Sequence, residues 1–224
     1  EDGYGINLRP LSMFEASAYR DDPCTRFKPH ILDQNIYDVV DPGLVAKMHK
    51  AITVIQFKVE GQIIRRHPEY GLNHRCLLEH VDFDKGTVEV DGKTYPMLDM
   101  KFPTIDPKDP LKLTEQEAEL LQTLKMSFRH SGLLHKHIKF LYSHGSMYKC
   151  CNNNLLYHGC IPLKKDGSFD DIVFYGIPYS GKALMDFVDQ MVQSAYFLPE
   201  SNPDKGVASD FMWYLWCGAK SPLF

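Results

Sequence analysis

The sequence has 224 residues, of which 44% are hydrophobic and 24% are charged. This length and composition predict a folded protein with a substantial core and exclude collagen, coiled-coil and low-complexity proteins. The formal net charge of -4 supplies no overall basic field for nucleic acid or anionic lipid, and the apolar stretches are well short of the ~20 residues that span a membrane. We therefore expect neither nucleic acid nor a membrane as a partner.

The two ends and the cysteines indicate the setting of the chain. The first residues, Glu1 to Gly5, carry neither an initiator Met nor a secretory signal, and the last ones, Trp213 to Phe224, have the apolar character of a core. These features predict a fragment of a longer protein. The six cysteines form no regular framework, which favours reduced thiols in an intracellular protein.

The first strong secondary-structure signal predicts a long helix over residues 42–66. Asp41 and Pro42 form a helix start, and Arg65, Arg66 and His67 before Pro68 suit a helix end. Between them, apolar residues recur at spacings of three and four: Leu44, Met48, Ile52, Ile55, Val59 and Ile63.

The basic residues of this helix, Lys50, Lys58, Arg65 and Arg66, allow two interpretations. Charge-assisted hydrogen bonds from them would bind a phosphate group. The simpler interpretation, which we favour, is a basic helix end in water.

Turn and capping signals organise the middle of the chain. Asp84 to Gly86 and Asp91-Gly92 separate short β-prone runs and predict an antiparallel meander over 81–95. Thr114 to Glu117 is a capping box, which predicts a helix to about residue 130 that resumes over 133–142.

The second half of the chain predicts strands followed by a helix. Residues 154–162 form an apolar run that predicts a short buried strand, and 172–175 predicts another. Residues 181–197 have the pattern of an amphipathic helix. Strands mixed with long helices predict an α/β fold.

Two local patterns suggest binding sites but match their motifs incompletely. Gly176 to Lys182 has the form G-x-x-x-x-G-K, yet Ala183 replaces the Ser or Thr that binds Mg²⁺ and Pro178 lacks an N–H, so a plain turn between strand and helix is favoured. The second pattern is a cluster of potential zinc ligands that lack the paired spacing of a structural zinc site. Its members are His135, His137, His144, Cys150, Cys151, His158 and Cys160.

His158 has a more suggestive position, because it ends an apolar strand and precedes a glycine, where α/β proteins gather ligands. A histidine satisfied within the core is the competing interpretation. Asp210, Lys220 and the aromatic residues around Trp213 either line a pocket or pack a helix against the core, and we favour packing.

Four segments carry a resemblance to a known family: Tyr4 to Leu11, Met48 to Arg66, Leu155 to Pro162, and Trp213 to Phe224. Over essentially its whole length the chain resembles the class 3 fructose-1,6-bisphosphatases of bacteria, within the calcineurin-like metallophosphoesterases. The resemblance implies hydrolysis of fructose 1,6-bisphosphate to fructose 6-phosphate and phosphate, a step of gluconeogenesis, in the cytoplasm. It also implies a divalent metal cofactor, manganese.

Only one metal-binding motif of the wider superfamily, the His-Gly element, is present, so the resemblance implies that His158 is a metal ligand. Gly71 to His74 differs from Gly-Asn-His by an inserted Leu and is rejected. One neutral imidazole cannot hold a dinuclear metal cluster. We therefore expect this chain alone to be inactive. The candidates for substrate binding in the complete protein are Arg65, Arg66 and Lys220.

The resemblance divides the chain into three parts. Residues 1–27 begin the fragment with a core-flanking helix, 28–113 form an insertion with the long helix and the meander, and 114–224 belong to an incomplete metallophosphoesterase-like sandwich. A fragment would expose surface that the rest of the parent chain covers. This predicts either a homo-oligomer or association with the rest of the parent chain. Two alternatives stay open: a non-catalytic interaction module, and a zinc-binding domain that uses the cluster from His135 to Cys160.

Overall fold

The computed structural model describes residues 3–30 and 41–223. Its helices are α1 (Arg9–Ala18), α2 (Pro42–Arg66), α3 (Glu115–His130), α4 (Gly132–His144), α5 (Gly181–Phe197) and α6 (Pro203–Cys217). Its strands are β1 (Val81–Asp82), β2 (Thr87–Val90), β3 (Lys93–Pro96), β4 (Tyr148–Cys151), β5 (Asn154–Tyr157), β6 (Ile172–Phe174) and β7 (Ile177–Tyr179).

The described strands form small antiparallel sheets. β1, β2 and β3 make one sheet in that order, and β4–β5 and β6–β7 are separate hairpins. Short 3-10 helices occur at Thr25–Phe27, Pro68–Tyr70, Asn73–Arg75 and Leu77–His80. Helices combined with small sheets confirm the α/β prediction in this general form.

The chain divides into two units. The first contains the described residues up to Arg66 together with Asn73–Lys136, and the second contains His67–Leu72 and the described residues from His137 onward. The predicted division at residues 27 and 113 follows other boundaries and stays a prediction. Residues 31–40 of the predicted insertion, and Glu1, Asp2 and Phe224, lie outside the described residues.

Local signals place the helix ends where the structure has them. The Asp41 side chain accepts a hydrogen bond from the Gly43 N–H at 2.8 Å, so α2 begins as predicted and ends at Arg66. At the start of α3, Thr114 Oγ1 accepts from the Glu117 N–H at 3.2 Å while Glu117 Oε2 accepts from the Thr114 N–H at 2.8 Å. Both bonds of the predicted capping box are therefore formed.

The first unit packs around α2, but the buried face of this helix differs from the predicted stripe. Lys50 and Lys58, expected in water, have fully buried side chains. Lys50 Nζ binds Asp22 Oδ2 at 2.6 Å and Asp99 Oδ2 at 2.7 Å, and lies 5.4 Å from the centre of the Phe102 ring. Carboxylates supplied by distant segments replace water around each ammonium group, which makes the burial possible.

We expect replacement of Lys50 by Met to reverse the pH dependence of stability in mild acid. Burial raises the pKa of Asp22, but hydrogen bonds from Lys50 and from the Cys24 N–H outweigh it and hold the pKa below 3.8. The ionised pair therefore stabilises the native chain above about pH 4 and is lost as pH falls through the lowered pKa. Without the ammonium, burial is opposed by the weaker hydrogen bonds from Cys24, so we expect the pKa of Asp22 to rise and protonation to stabilise the variant between about pH 6 and pH 4.

Urea unfolding at a series of pH values measures this effect. Lys101→Met is the control, since Lys101 is an exposed neighbour whose ammonium donates to the Asp21 carbonyl. A Lys50→Met chain that loses stability with acid as the native chain does would contradict the assignment.

The second unit has an aromatic core between β6, α5 and α6. Phe174 on β6 packs edge-on against Phe211 and Tyr214 of α6, with ring centres 4.9 and 5.1 Å apart, and stacks on Phe187 of α5 at 5.4 Å. Tyr70 adds a ring 4.9 Å from Tyr214. In the described parts of the chain, no helix combines the length and the apolar character needed to cross a membrane.

Candidate functional site

His158, the predicted metal ligand, directly follows β5. The hairpin of β4 and β5 closes through Asn152 and Asn153, both at positive φ (49° and 61°), as a two-residue type I′ turn requires and asparagine tolerates. Pairing ends at Tyr148 and Tyr157, so His158 lies at the open end of the hairpin. Its side chain is exposed.

The strand before His158 is exposed, so the prediction of a buried strand over 154–162 is wrong. Every residue of β5 is exposed, and Leu155 and Leu156 keep 49% and 55% of their surface accessible. An apolar run shows that a strand is suited to burial, but another element must cover it. Among the described strands, β5 pairs with β4 alone.

Gly159 joins the His158 turn to the chain that follows α6. Its φ is +83°, and a Cβ at this position would lie 2.3 Å from the Pro222 carbonyl oxygen and 2.5 Å from the Leu223 carbonyl carbon. The next residue, Cys160, donates its N–H to the same Pro222 oxygen at 3.0 Å. Only glycine permits both the backbone conformation and this approach.

Lys220 lies on the same chain segment that packs against Gly159. Its ammonium is 2.8 Å from Asp170 Oδ2 and donates to the Asp171 carbonyl at 3.4 Å, while 46% of its side chain stays exposed. Within the second unit, the contacts of Gly159 and Cys160 with Pro222 thus join the chain segments that carry His158 and Lys220. A phosphate bound by Lys220 would compete with Asp170.

A family model described as Firmicute fructose-1,6-bisphosphatase matches residues 1–224, which include the His158 turn and the segment that anchors it. The chain belongs to this fructose-1,6-bisphosphatase family. The resemblance inferred from the sequence is confirmed.

Curated relatives agree with this assignment. The chain is 49% identical over 225 residues to fructose-1,6-bisphosphatase class 3 of Finegoldia magna and 51% identical over 224 residues to that of Clostridium tetani. All of the chain is covered in both, but only 35% and 34% of the relatives. The chain therefore spans about a third of their length. No solved structure matches.

The residues described do not by themselves fit the dinuclear metal centre that the family resemblance implies. Among them, no group of three or more His, Cys, Asp or Glu side chains is arranged to hold a metal ion. The proposed zinc cluster from His135 to Cys160 is therefore not assembled as a three-ligand set. Its two neighbouring thiols, Cys150 and Cys151, are exposed on β4.

Arg65 and Arg66, candidates for substrate binding, lie at the end of α2 in the first unit. Arg65 Nε donates to Glu79 Oε1 at 2.7 Å, and Nη1 donates to Asp109 Oδ1 at 3.4 Å. Hydrogen bonding to Glu79 raises the pKa of Arg65. Two carboxylates thus pair with Arg65, and both arginines are exposed; their role in substrate binding stays a prediction.

The segment Gly176–Lys182 forms a hairpin strand and a helix start. Residues 177–179 are β7, in which Pro178 pairs with Val173, and α5 begins at Gly181. The Lys182 ammonium lies 2.5 Å from Asp186 Oδ2 on the same helix. The favoured interpretation, a connection between strand and helix, is correct, with the difference that the connection itself contains a strand.

α6 packs into the core, as favoured, but one polar contact of this helix was missed. Asp210 Oδ2 lies 3.1 Å from Nε2 of the buried His67. The two residues are 143 positions apart, and no local pattern links them. Trp213, which the sequence analysis grouped with Asp210, lies half-buried on the same helix.

Proposed function

We propose that the protein to which this chain contributes hydrolyses fructose 1,6-bisphosphate to fructose 6-phosphate and phosphate in the cytoplasm. The match of all 224 residues to the family model carries this proposal. Relatives named fructose-1,6-bisphosphatase class 3, at about half identity over the whole chain, support it.

His158 is proposed as one ligand of a divalent metal, manganese, with the other ligands supplied from outside these 224 residues. Its side chain directly after β5 is exposed, and the neighbouring Gly159 packs closely against the backbone of Pro222 and Leu223. A metal-bound imidazole is neutral, so carboxylates from elsewhere must balance the metal charge. The chain spans only about a third of its relatives' length, which leaves room for the other metal ligands elsewhere in the protein.

Lys220 is proposed to bind a phosphate of the substrate, with Arg65 and Arg66 as further candidates. The Lys220 side chain is partly exposed and pairs with Asp170, and Pro222, two residues later, packs against Gly159 of the His158 turn. An ammonium group suits phosphate because it donates charge-assisted hydrogen bonds.

The surroundings of this site carry two structural proposals. The exposed apolar residues of β5 are proposed to be covered in a metallophosphoesterase-like sandwich completed by the rest of the protein. Association of this chain alone with a second copy is the expected result when that cover is missing.

Phosphate release by the full-length protein tests the proposed function. We expect manganese-dependent turnover of fructose 1,6-bisphosphate, loss of turnover after chelation, and recovery when manganese returns. Fructose 6-phosphate is the control substrate, since it is the expected product. A folded full-length protein that binds no divalent metal and releases no phosphate would instead identify a non-catalytic interaction module.

A further inference from the structure

The second half of α6 contains no charged side chain. The charged residues of this helix, Asp204, Lys205 and Asp210, all precede residue 211, and residues 211–217 are Phe, Met, Trp, Tyr, Leu, Trp and Cys. Because a helix has about 3.6 residues per turn, this stretch is apolar on every side. Helices that are apolar all round are buried on all sides in folded proteins.

The described structure buries one side of α6. Ala208, Phe211, Tyr214 and Leu215 are its buried residues, and their spacings of three and four place them on one face. Phe211 and Tyr214 of this face contact the Phe174 ring. This face is therefore satisfied within the second unit.

The other side of α6 carries Met212, Trp213 and Trp216, which we call the indole face. Trp216 keeps 72% of its surface accessible, and Met212 and Trp213 are half-buried. The chain that follows the helix turns away toward the buried side, where Ser221 Oγ donates to the Leu215 carbonyl at 2.6 Å. The described chain thus leaves the indole face accessible.

The area of the indole face indicates which kind of partner covers it. Trp216 exposes on the order of 150 Å², since a Trp side chain can bury about 150–250 Å² and 72% of this one is accessible. The two half-buried residues add less each, so the total is well below the ~800 Å² that each partner gives to a stable interface. A second copy would not be held by this face alone. A segment of the same polypeptide needs less area, because its binding costs little translational freedom.

We propose that the indole face is the packing surface for an apolar segment of the parent protein that lies outside these 224 residues. About two thirds of the length of the curated relatives lies outside the part that this chain matches, so such a segment is available in the same polypeptide. Rigid indole rings suit this role because they bury a large area at a low cost in conformational entropy. The inference depends on the length of the relatives and not on the proposed reaction.

A photoreactive side chain at position 216 identifies what covers the face. The full-length protein with Trp216→p-benzoylphenylalanine is irradiated as a mixture of isotopically labelled and unlabelled copies, and the cross-linked peptides are found by mass spectrometry. We expect cross-links within one polypeptide, to apolar residues outside the 224. The same probe at the exposed Ser201, in the polar turn before α6, should give a roughly tenfold lower yield because such turns stay in water.

Oxidation by hydroxyl radicals provides a second readout on the native full-length protein. Trp216 should react about tenfold more slowly than in the isolated peptide, as expected for a side chain that is almost wholly covered. This protection should not change on dilution. Trp216 that reacts nearly as fast as the peptide, as its accessibility of 72% in this chain requires, would overturn the proposal. So would protection that dilution removes, or cross-links that join two copies or reach only residues within the 224.

Discussion

Replacing Lys58 by Met is expected to lower the free energy of unfolding by about 3–5 kcal/mol, as for other buried ion pairs that lose one partner. Both side chains of the Lys58–Glu117 pair are fully buried, with Nζ 2.7 Å from Oε2. The ammonium also donates to the Thr104 carbonyl at 2.5 Å. The variant leaves a buried carboxylate without its counter-charge.

The loss of unfolding free energy depends on the uncompensated charge of the buried Glu117 carboxylate as well as on the lost contact. Glu117 is held in place by the capping box of α3, so it cannot turn toward water without breaking the helix start. Replacing both partners, as in Lys58→Met with Glu117→Leu, should therefore cost less than Lys58→Met alone.

Urea unfolding of these variants measures both effects. The control Lys93→Met, at an exposed lysine of β3, should change the free energy of unfolding by less than about 0.5 kcal/mol. A Lys58→Met effect no larger than that of the control would show that the buried pair is absent in solution.

Gly159→Ala is expected to have the second large effect, about 2–5 kcal/mol, from a positive φ combined with a backbone clash. The added Cβ would lie 2.3 Å from the Pro222 oxygen, and backbone atoms cannot move aside as a flexible side chain does. The chain that carries Lys220 must then separate from the His158 turn.

Gly167→Ala is a matched control for this variant. Its φ of +85° is nearly the same as that of Gly159, but a Cβ there meets nothing within 4 Å. It should therefore show only the conformational cost of about 1–2 kcal/mol. Equal losses of unfolding free energy in the two variants would mean that Gly159 does not pack against Pro222.

Local signals in the sequence predicted the elements but not their surroundings. The Asp41 cap, the Thr114 capping box and the turns at Asp84 and Asp91 act over a few residues, and the structure has elements at all of them. The burial of Lys58 depends on Glu117, 59 positions away. The helical spacing of apolar residues predicts that such a lysine is exposed, because this spacing carries no information about a partner far along the chain.

The candidate site shows the same division. A strand that ends in His-Gly was recognisable, and the positive φ of Gly159 follows from the turn it makes. The contact with Pro222, 63 positions further along, arises only in the folded chain. For the same reason, the sequence did not predict the bond between His67 and Asp210, which are 143 positions apart.

The central claim, that His158 is a metal ligand of a fructose-1,6-bisphosphatase, is tested most directly in the full-length protein by His158→Ala. We compare its bound manganese and its phosphate release with those of His130→Ala, which removes an exposed histidine of α3. Loss of a ligand should reduce both by about 100-fold or more, since even groups that only orient metal ligands cost 10–100-fold, whereas His130→Ala should match the native protein. A folded His158→Ala protein with native manganese content and native turnover would contradict the claim.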